Sequence, residues 1–192
     1  DRYSQIAVQG PNAPALLARI FGDDVAGLRP FSFVDRAFQG ADCIVATTGY
    51  TGEAGGEVYV PNDAAAALWR ALIDRGQDLG VGPIGLGARD SLRLEMKYCL
   101  YGNDIDEATT PLEAGLAWTV KFDKGDFNGR DAMLAQKAAG VPRHLVCFVV
   151  DGKGIPRHEY KLFSGDAEIG VVTSGTLSPS LGVPIGMGYV TT

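Results

Sequence analysis

Apolar and polar residues recur along this chain with two different periods, and the change from one regime to the other falls near residue 140. Gln5-Ile6-Ala7-Val8 alternates in the manner of a half-buried strand, and Gly10-Pro11-Asn12 then predicts a break and a cap for a helix over about 13–21, with Pro14 tolerated in the first turn. Residues 41–48 and 55–60 predict two further strands, joined by Gly49-Tyr50-Thr51-Gly52. Asn62-Asp63 predicts the cap of a helix over about 64–74, where Ala65, Leu68 and Leu72 recur at helical spacing. A glycine-punctuated connection over 79–87 leads to a third helix, expected over about 86–98. Beyond Gly140 helical periodicity stops. Residues 144–150, 161–163, 169–173 and 185–190 are short strand candidates separated by turns such as Asp151-Gly152-Lys153-Gly154. The pattern predicts an α+β region over residues 1–138 followed by an all-β, barrel-like unit over 139–192.

Composition narrows the function classes. At 192 residues, 46% hydrophobic and 21% charged, the chain has the balance of a soluble globular protein of one domain or two small ones. Seventeen basic against 23 acidic residues give a net charge of −6, so the basic footprint of a nucleic-acid binder is missing. No apolar run approaches the roughly 20 residues of a membrane-spanning helix, so no membrane partner is expected. Cys43, Cys99 and Cys147 form no CxxC pair, and His144 and His158 are the only histidines. That set argues against a disulfide framework or a metal centre and fits a reducing, cytoplasmic setting. The chain opens at Asp1 without Met, just before a strand, and closes just after another, which suggests a piece of a longer protein.

Two charged residues stand where chemistry could use them. On the third helix, Arg89 shares a stripe with Leu92, Met96 and Cys99, which would place its guanidinium on the core-facing side. Such an arginine needs a carboxylate or a ligand; an internal salt bridge and a ligand contact both satisfy it. In Glu57-Val58-Tyr59-Val60, alternation sets Glu57 and Tyr59 opposite the two valines, toward solvent or a cleft. Gly55 and Gly56 before it would leave the spot unshielded for a flat ligand. Gly102-Asn103-Asp104-Ile105-Asp106 lacks the spacing of a calcium loop and reads as a capped turn. The turn at Gly49 matches no nucleotide-binding motif, and Thr173-Ser174-Gly175-Thr176 lacks the G-x-S-x-G of a serine hydrolase.

Taken in order, these segments resemble a known family. Gly49-Tyr50-Thr51-Gly52-Glu53 with Glu57, Gly87 to Glu95, Cys99 to Asp106, Thr109 to Leu116, Gly170 to Thr176 and Gly186 to Val190 together resemble the T-protein of the glycine cleavage system, the tetrahydrofolate-dependent aminomethyltransferase. The resemblance implies ferredoxin-like mixed or antiparallel sheets with helices, followed by a small, incomplete β-barrel-like domain. It implies tetrahydrofolate as co-substrate without a metal, and the lipoylated H-protein as partner. Glu57 matches the family's pterin-binding glutamate and Arg89 its companion arginine, so both are expected on one edge of one cleft. Tyr50 matches a tyrosine lining that pocket, and Arg157 a further family arginine. No catalytic residue can be assigned, because the family's aspartate lies in an upstream segment. The isolated chain is therefore expected to be inactive, with exposed sheet edges that favour self-association. A demethylase-type enzyme of the same fold, or a non-catalytic folate-binding piece, would share these residues. The Fe–S assembly branch carries a cysteine motif where this chain has Lys124-Gly125-Asp126-Phe127-Asn128-Gly129-Arg130.

Overall fold

Strand alternation decides the layering of the first sheet. β1 (Tyr3–Gln9), β2 (Phe33–Phe38), β3 (Ala41–Ala46) and β4 (Gly55–Pro61) hydrogen-bond in the order β1-β4-β3-β2, each neighbouring pair antiparallel. In this computed structural model, which describes residues 2–192, Ile6, Val8, Val45, Val58 and Val60 share one face and are 9% exposed or less. Two helices, α1 (Ala13–Phe21) and α2 (Asn62–Arg75), cover that face with Leu16, Leu17, Phe21, Leu68 and Leu72. Each fully buried Val, Leu or Phe side chain of this cluster is worth roughly 1.5–3 kcal/mol of transfer free energy. The opposite face carries Gln5, Ala7, Ile44, Glu57 and Tyr59, because the side-chain period of a strand is two.

Gly55 and Gly56 are where they are for backbone reasons. A Cβ on Gly55, at φ +150°, would stand 2.2 Å from the Val8 carbonyl oxygen, and one on Gly56 would stand 2.6 Å from that of Ala46. The space that the sequence reading assigned to a ligand is filled by the flanking strands. Asn12 also departs from expectation: its amide donates to the Leu79 carbonyl at 3.0 Å and makes no cap to α1. The α2 helix begins at Asn62 itself, directly after Pro61.

The chain divides after Arg89, inside α3 (Leu86–Glu95), into two compact units. In the second unit α3 stops at Glu95, three residues earlier than its sequence pattern suggests. Lys97 adopts a left-handed conformation at φ +59°. Its N–H donates to the Leu94 carbonyl at 3.0 Å, and the Tyr98 N–H reaches back to that of Arg93 at 2.8 Å. These are the two bonds of a Schellman motif, here with lysine in the position usually held by glycine. The unit continues through α4 (Arg130–Ala139), which the sequence reading did not anticipate, to a second antiparallel sheet. Strands β5 (Arg143–Val149), β6 (Lys161–Ser164), β7 (Ala167–Leu177) and β8 (Pro184–Thr191) pair in the order β5-β8-β7-β6. The strands expected beyond residue 139 thus follow α4 within this second unit. Leu94, Leu145, Ile185, Met187 and Tyr189 form the buried cluster here. Glycines let the strands approach: a Cβ on Gly170 would lie 1.9 Å from the Tyr189 carbonyl oxygen, and one on Gly188 2.5 Å from that of Val171. A Cβ on Gly186 would lie 2.5 Å from the Phe148 ring.

Arg93, 1% exposed, is the largest fully buried side chain. It donates to Asp104 at 2.6 Å, to Asp90 at 2.6 and 2.9 Å, to Ser174 at 2.8 Å and to the Tyr98 carbonyl at 3.2 Å. Burial works against its charge, but Asp90 and Asp104 outweigh that and hold its pKa above the ordinary arginine value. Asp104 also accepts the Leu100 N–H at 2.8 Å and the Thr173 hydroxyl, and the Tyr189 hydroxyl donates to its carbonyl at 2.8 Å. The capped turn expected over 102–106 is present: Asp106 accepts the Ala108 N–H and the Thr109 hydroxyl, and these bonds hold its carboxyl below the usual range. No helix among the described residues is long and apolar enough to cross a membrane.

Replacing Asp104 by Ala leaves the Arg93 charge in low dielectric with one anion fewer, so it is expected to cost about 3–5 kcal/mol in urea unfolding. Burial, above all, pushes the Tyr189 phenol up to about 12 from its ordinary value of 10.0. The fold thus favours the neutral phenol. Its contribution is complete below pH 10.0 and is lost as the pH climbs from there to about 12. The Tyr189→Phe variant is expected to lose that part of the alkaline unfolding transition in a pH-jump circular dichroism series.

Candidate functional site

The first unit collects three of the sequence-selected residues on or beside the open face of its sheet. Glu57, half-buried, sits in β4 between Ala7 of β1 and Ala46 of β3. The two small neighbours leave its side chain room above the sheet. One carboxylate oxygen accepts from Gln5 Nε2 and the other from the Thr48 hydroxyl. Gln5 comes from the adjacent strand, diagonally across from Glu57, and its amide also lies 3.4 Å from the Tyr59 hydroxyl. Thr48 comes from the loop that follows β3.

Two residues further along that loop, the Tyr50 ring takes the Arg89 guanidinium over its face, 4.6 Å from the centroid. This pairing is the one the sequence reading did not foresee. It expected Arg89 on the core stripe of α3, but the buried positions of that helix are Arg93 and Leu94, and Arg89 is exposed. The stripe expected over 86–98 loses its phase because the helix is ten residues long and ends at Glu95. Thr48, which holds Glu57, and Tyr50, which holds Arg89, are two residues apart, so their Cα atoms lie within about 7 Å. Glu57 and Arg89 thus each contact a side chain of this one loop. Cation–π stacking at an exposed position contributes about 0.5–1 kcal/mol.

Arg157 belongs to the second unit. It is exposed, in the turn ahead of β6, where its carbonyl accepts the Tyr160 N–H at 3.1 Å. Gln5 and Thr48 were missed by the sequence reading. Gln5 carried a signal, since it is the polar member of an alternating strand and therefore shares a face with whatever polar residue its neighbour presents. Thr48 carried none, because the register that brings it to Glu57 is set by the turn.

Chemically, the carboxylate has about four acceptor positions and the two internal donors use two of them. The remainder can take a pair of parallel N–H groups, and the stacked guanidinium keeps N–H donors of its own.

Comparison with known proteins gives the following. Residues 1–124 match the family model described as the GCVT N-terminal domain, and residues 143–192 the glycine cleavage T-protein C-terminal barrel domain. A protein of Halothermothrix orenii named aminomethyltransferase is 52% identical over 190 residues, covering 99% of this chain and 53% of that protein. One of Bdellovibrio bacteriovorus with the same name is 50% identical, covering 99% and 53%. The crystal structure of glycine cleavage system aminomethyltransferase T from Bartonella henselae superposes with a TM-score of 0.88 at 38% identity, covering 98% of this chain and 52% of that one. The chain spans about half the length of the curated relatives it matches.

Arg89→Ala removes an exposed side chain and its stack on Tyr50 and is expected to cost about 1 kcal/mol or less, whereas Leu94→Ala, at a position 3% exposed, should cost about 2–5 kcal/mol. Parallel thermal and urea melts check this. An equal loss for both would return Arg89 to a structural role.

Proposed function

The chain belongs to the glycine cleavage T-protein family, and on that premise we propose that it supplies the pterin-holding part of a tetrahydrofolate-dependent aminomethyltransferase. The reaction moves the aminomethyl carbon from the lipoyl arm of H-protein to tetrahydrofolate and releases ammonia. The observation that carries this reading is the Glu57 carboxylate anchored above an open sheet face by Gln5 and Thr48, with Tyr50, two residues after Thr48, stacked on Arg89.

In this reading each residue has a separate task. Glu57 accepts the parallel N–H pair at the pyrimidine edge of the pterin, a bidentate contact that fixes the ring in its plane. Arg89 donates to the ring oxygen, and Tyr50 holds the guanidinium flat so that it presents its edge. Tyr59 adds a hydroxyl on the same sheet face. Arg157 is included on the family resemblance alone. Their joint effect is positional: folate held in one orientation offers its N5 to the incoming carbon, and such positioning lowers the entropic part of the barrier. The lipoylated H-protein is the partner this chemistry requires, and a cytoplasmic setting fits three cysteines that form no disulfide.

Calorimetric titration of the 192-residue chain with tetrahydrofolate tests the reading. The expected result is one-site binding that weakens at least about tenfold in Glu57→Ala and in Arg89→Ala, the size of one lost charge-assisted contact. Binding that both variants retain in full would place the folate elsewhere.

A further inference from the structure

We propose that Gln5 and Thr48 are positioning residues for Glu57: together they fix its carboxylate in one rotamer and one plane before any ligand arrives. This rests on the reading of Glu57 as the pterin carboxylate, and it names the residues that make that carboxylate competent.

A glutamate on an open sheet face has three side-chain torsions, and its carboxylate sweeps a wide volume unless something holds it. Here both oxygens are held, and from different directions. Gln5 Nε2 reaches one oxygen across the β1–β4 ladder, while the Thr48 hydroxyl reaches the other from the loop after β3. Two donors on opposite oxygens define a plane, which one donor cannot do.

The donors are themselves constrained. Gln5 lies within reach of the Tyr59 hydroxyl at 3.4 Å. Gln9, on the same face of β1 as Gln5, donates through Nε2 to the Thr48 carbonyl at 3.1 Å and to the Gly56 carbonyl at 2.9 Å. A single amide thus ties the backbone of the residue that donates to Glu57 to the backbone of the residue that precedes it. Between the two glutamines stands Ala7, directly opposite Glu57 in register and too small to touch the carboxylate. The pattern Gln5-x-Ala7-x-Gln9 is therefore a cradle: amides on either side and a gap in the middle.

The consequence for binding is a matter of preorganisation. A carboxylate already confined to one plane loses little conformational freedom when it accepts two N–H groups, whereas a mobile one must be ordered by the ligand. Removing a positioning donor should weaken pterin binding even though neither Gln5 nor Thr48 is assigned a contact with the ligand.

The test uses the uniformly ¹³C,¹⁵N-labelled 192-residue chain. Three-bond couplings across the Glu57 Cβ–Cγ unit report rotamer averaging in the absence of ligand, and calorimetry with tetrahydrofolate reports affinity. The expected result is a single rotamer in the unaltered chain, averaged couplings in Thr48→Val and in Gln5→Leu, and a loss of affinity of about tenfold in each, the size of one hydrogen bond's worth of ordering. Thr48→Ser keeps the hydroxyl and should restore both readouts, which a merely structural role for the threonine methyl would not allow. Couplings that stay those of a single rotamer in both variants overturn the proposal, whatever the folate affinity does. A single rotamer in the unaltered chain with averaged couplings in both variants, and tetrahydrofolate bound by none of them, supports the positioning role and counts against the folate reading alone; averaged couplings in the unaltered chain overturn the proposal.

Discussion

A guanidinium taken out of water must be surrounded by acceptors, and meeting that demand organises the second unit. Arg93 draws Asp90 from its own helix, Asp104 from the turn after it and Ser174 from β7 around one charge. Asp104 also accepts the Leu100 N–H and the Thr173 hydroxyl, so both of its oxygens are engaged. Helix end, turn and strand are thereby held in one register by partners that cannot be exchanged singly, since each missing partner exposes a buried charge. This is specificity more than raw stability: an apolar cluster of similar volume would hold the same elements together with less insistence on where each one lies.

The first unit divides its labour differently. Its sheet gives one face to valines and the leucines of two helices, and keeps the other for polar side chains. Because strand alternation assigns every second residue to each face, a single strand can serve the core and the site together. Val58 and Val60 anchor β4 by burial, and Glu57 between its neighbours inherits that rigidity without being buried itself. The chemistry therefore stands on an element that cannot shift without opening the core, which is the condition for precise placement.

What could be read from the sequence was whatever a local period announces. β1, β3, β4 and the span of α1 follow from alternation and helical spacing, and Glu57 on the face opposite the valines follows with them. β2 was not legible because its inward row, Val34, Arg36 and Phe38, contains an arginine. That side chain stays near the core only because the Phe21 carbonyl and Asp24 receive it. The α4 helix has no buried residue at all, so it offers no stripe to detect. Arg93 was overlooked in favour of Arg89 for a related reason: a buried arginine is recognisable only through partners such as Asp104 and Ser174, which lie 11 and 81 residues away. The Thr48–Glu57 contact depends on how one loop returns, and no spacing rule encodes it.

The glycines of the second sheet carry a further consequence for anyone reading tolerance to change along this chain. Gly170, Gly186 and Gly188 each face a neighbouring carbonyl oxygen or aromatic ring where a methyl group would have to sit. A survey of all single substitutions would mark these three positions as severely as any group that touches substrate, although they hold no proton, charge or ligand. Intolerance in this protein therefore comes in two kinds that activity alone does not separate. One is the absence of a functional group; the other is the presence of a single carbon where a carbonyl oxygen or a ring already stands.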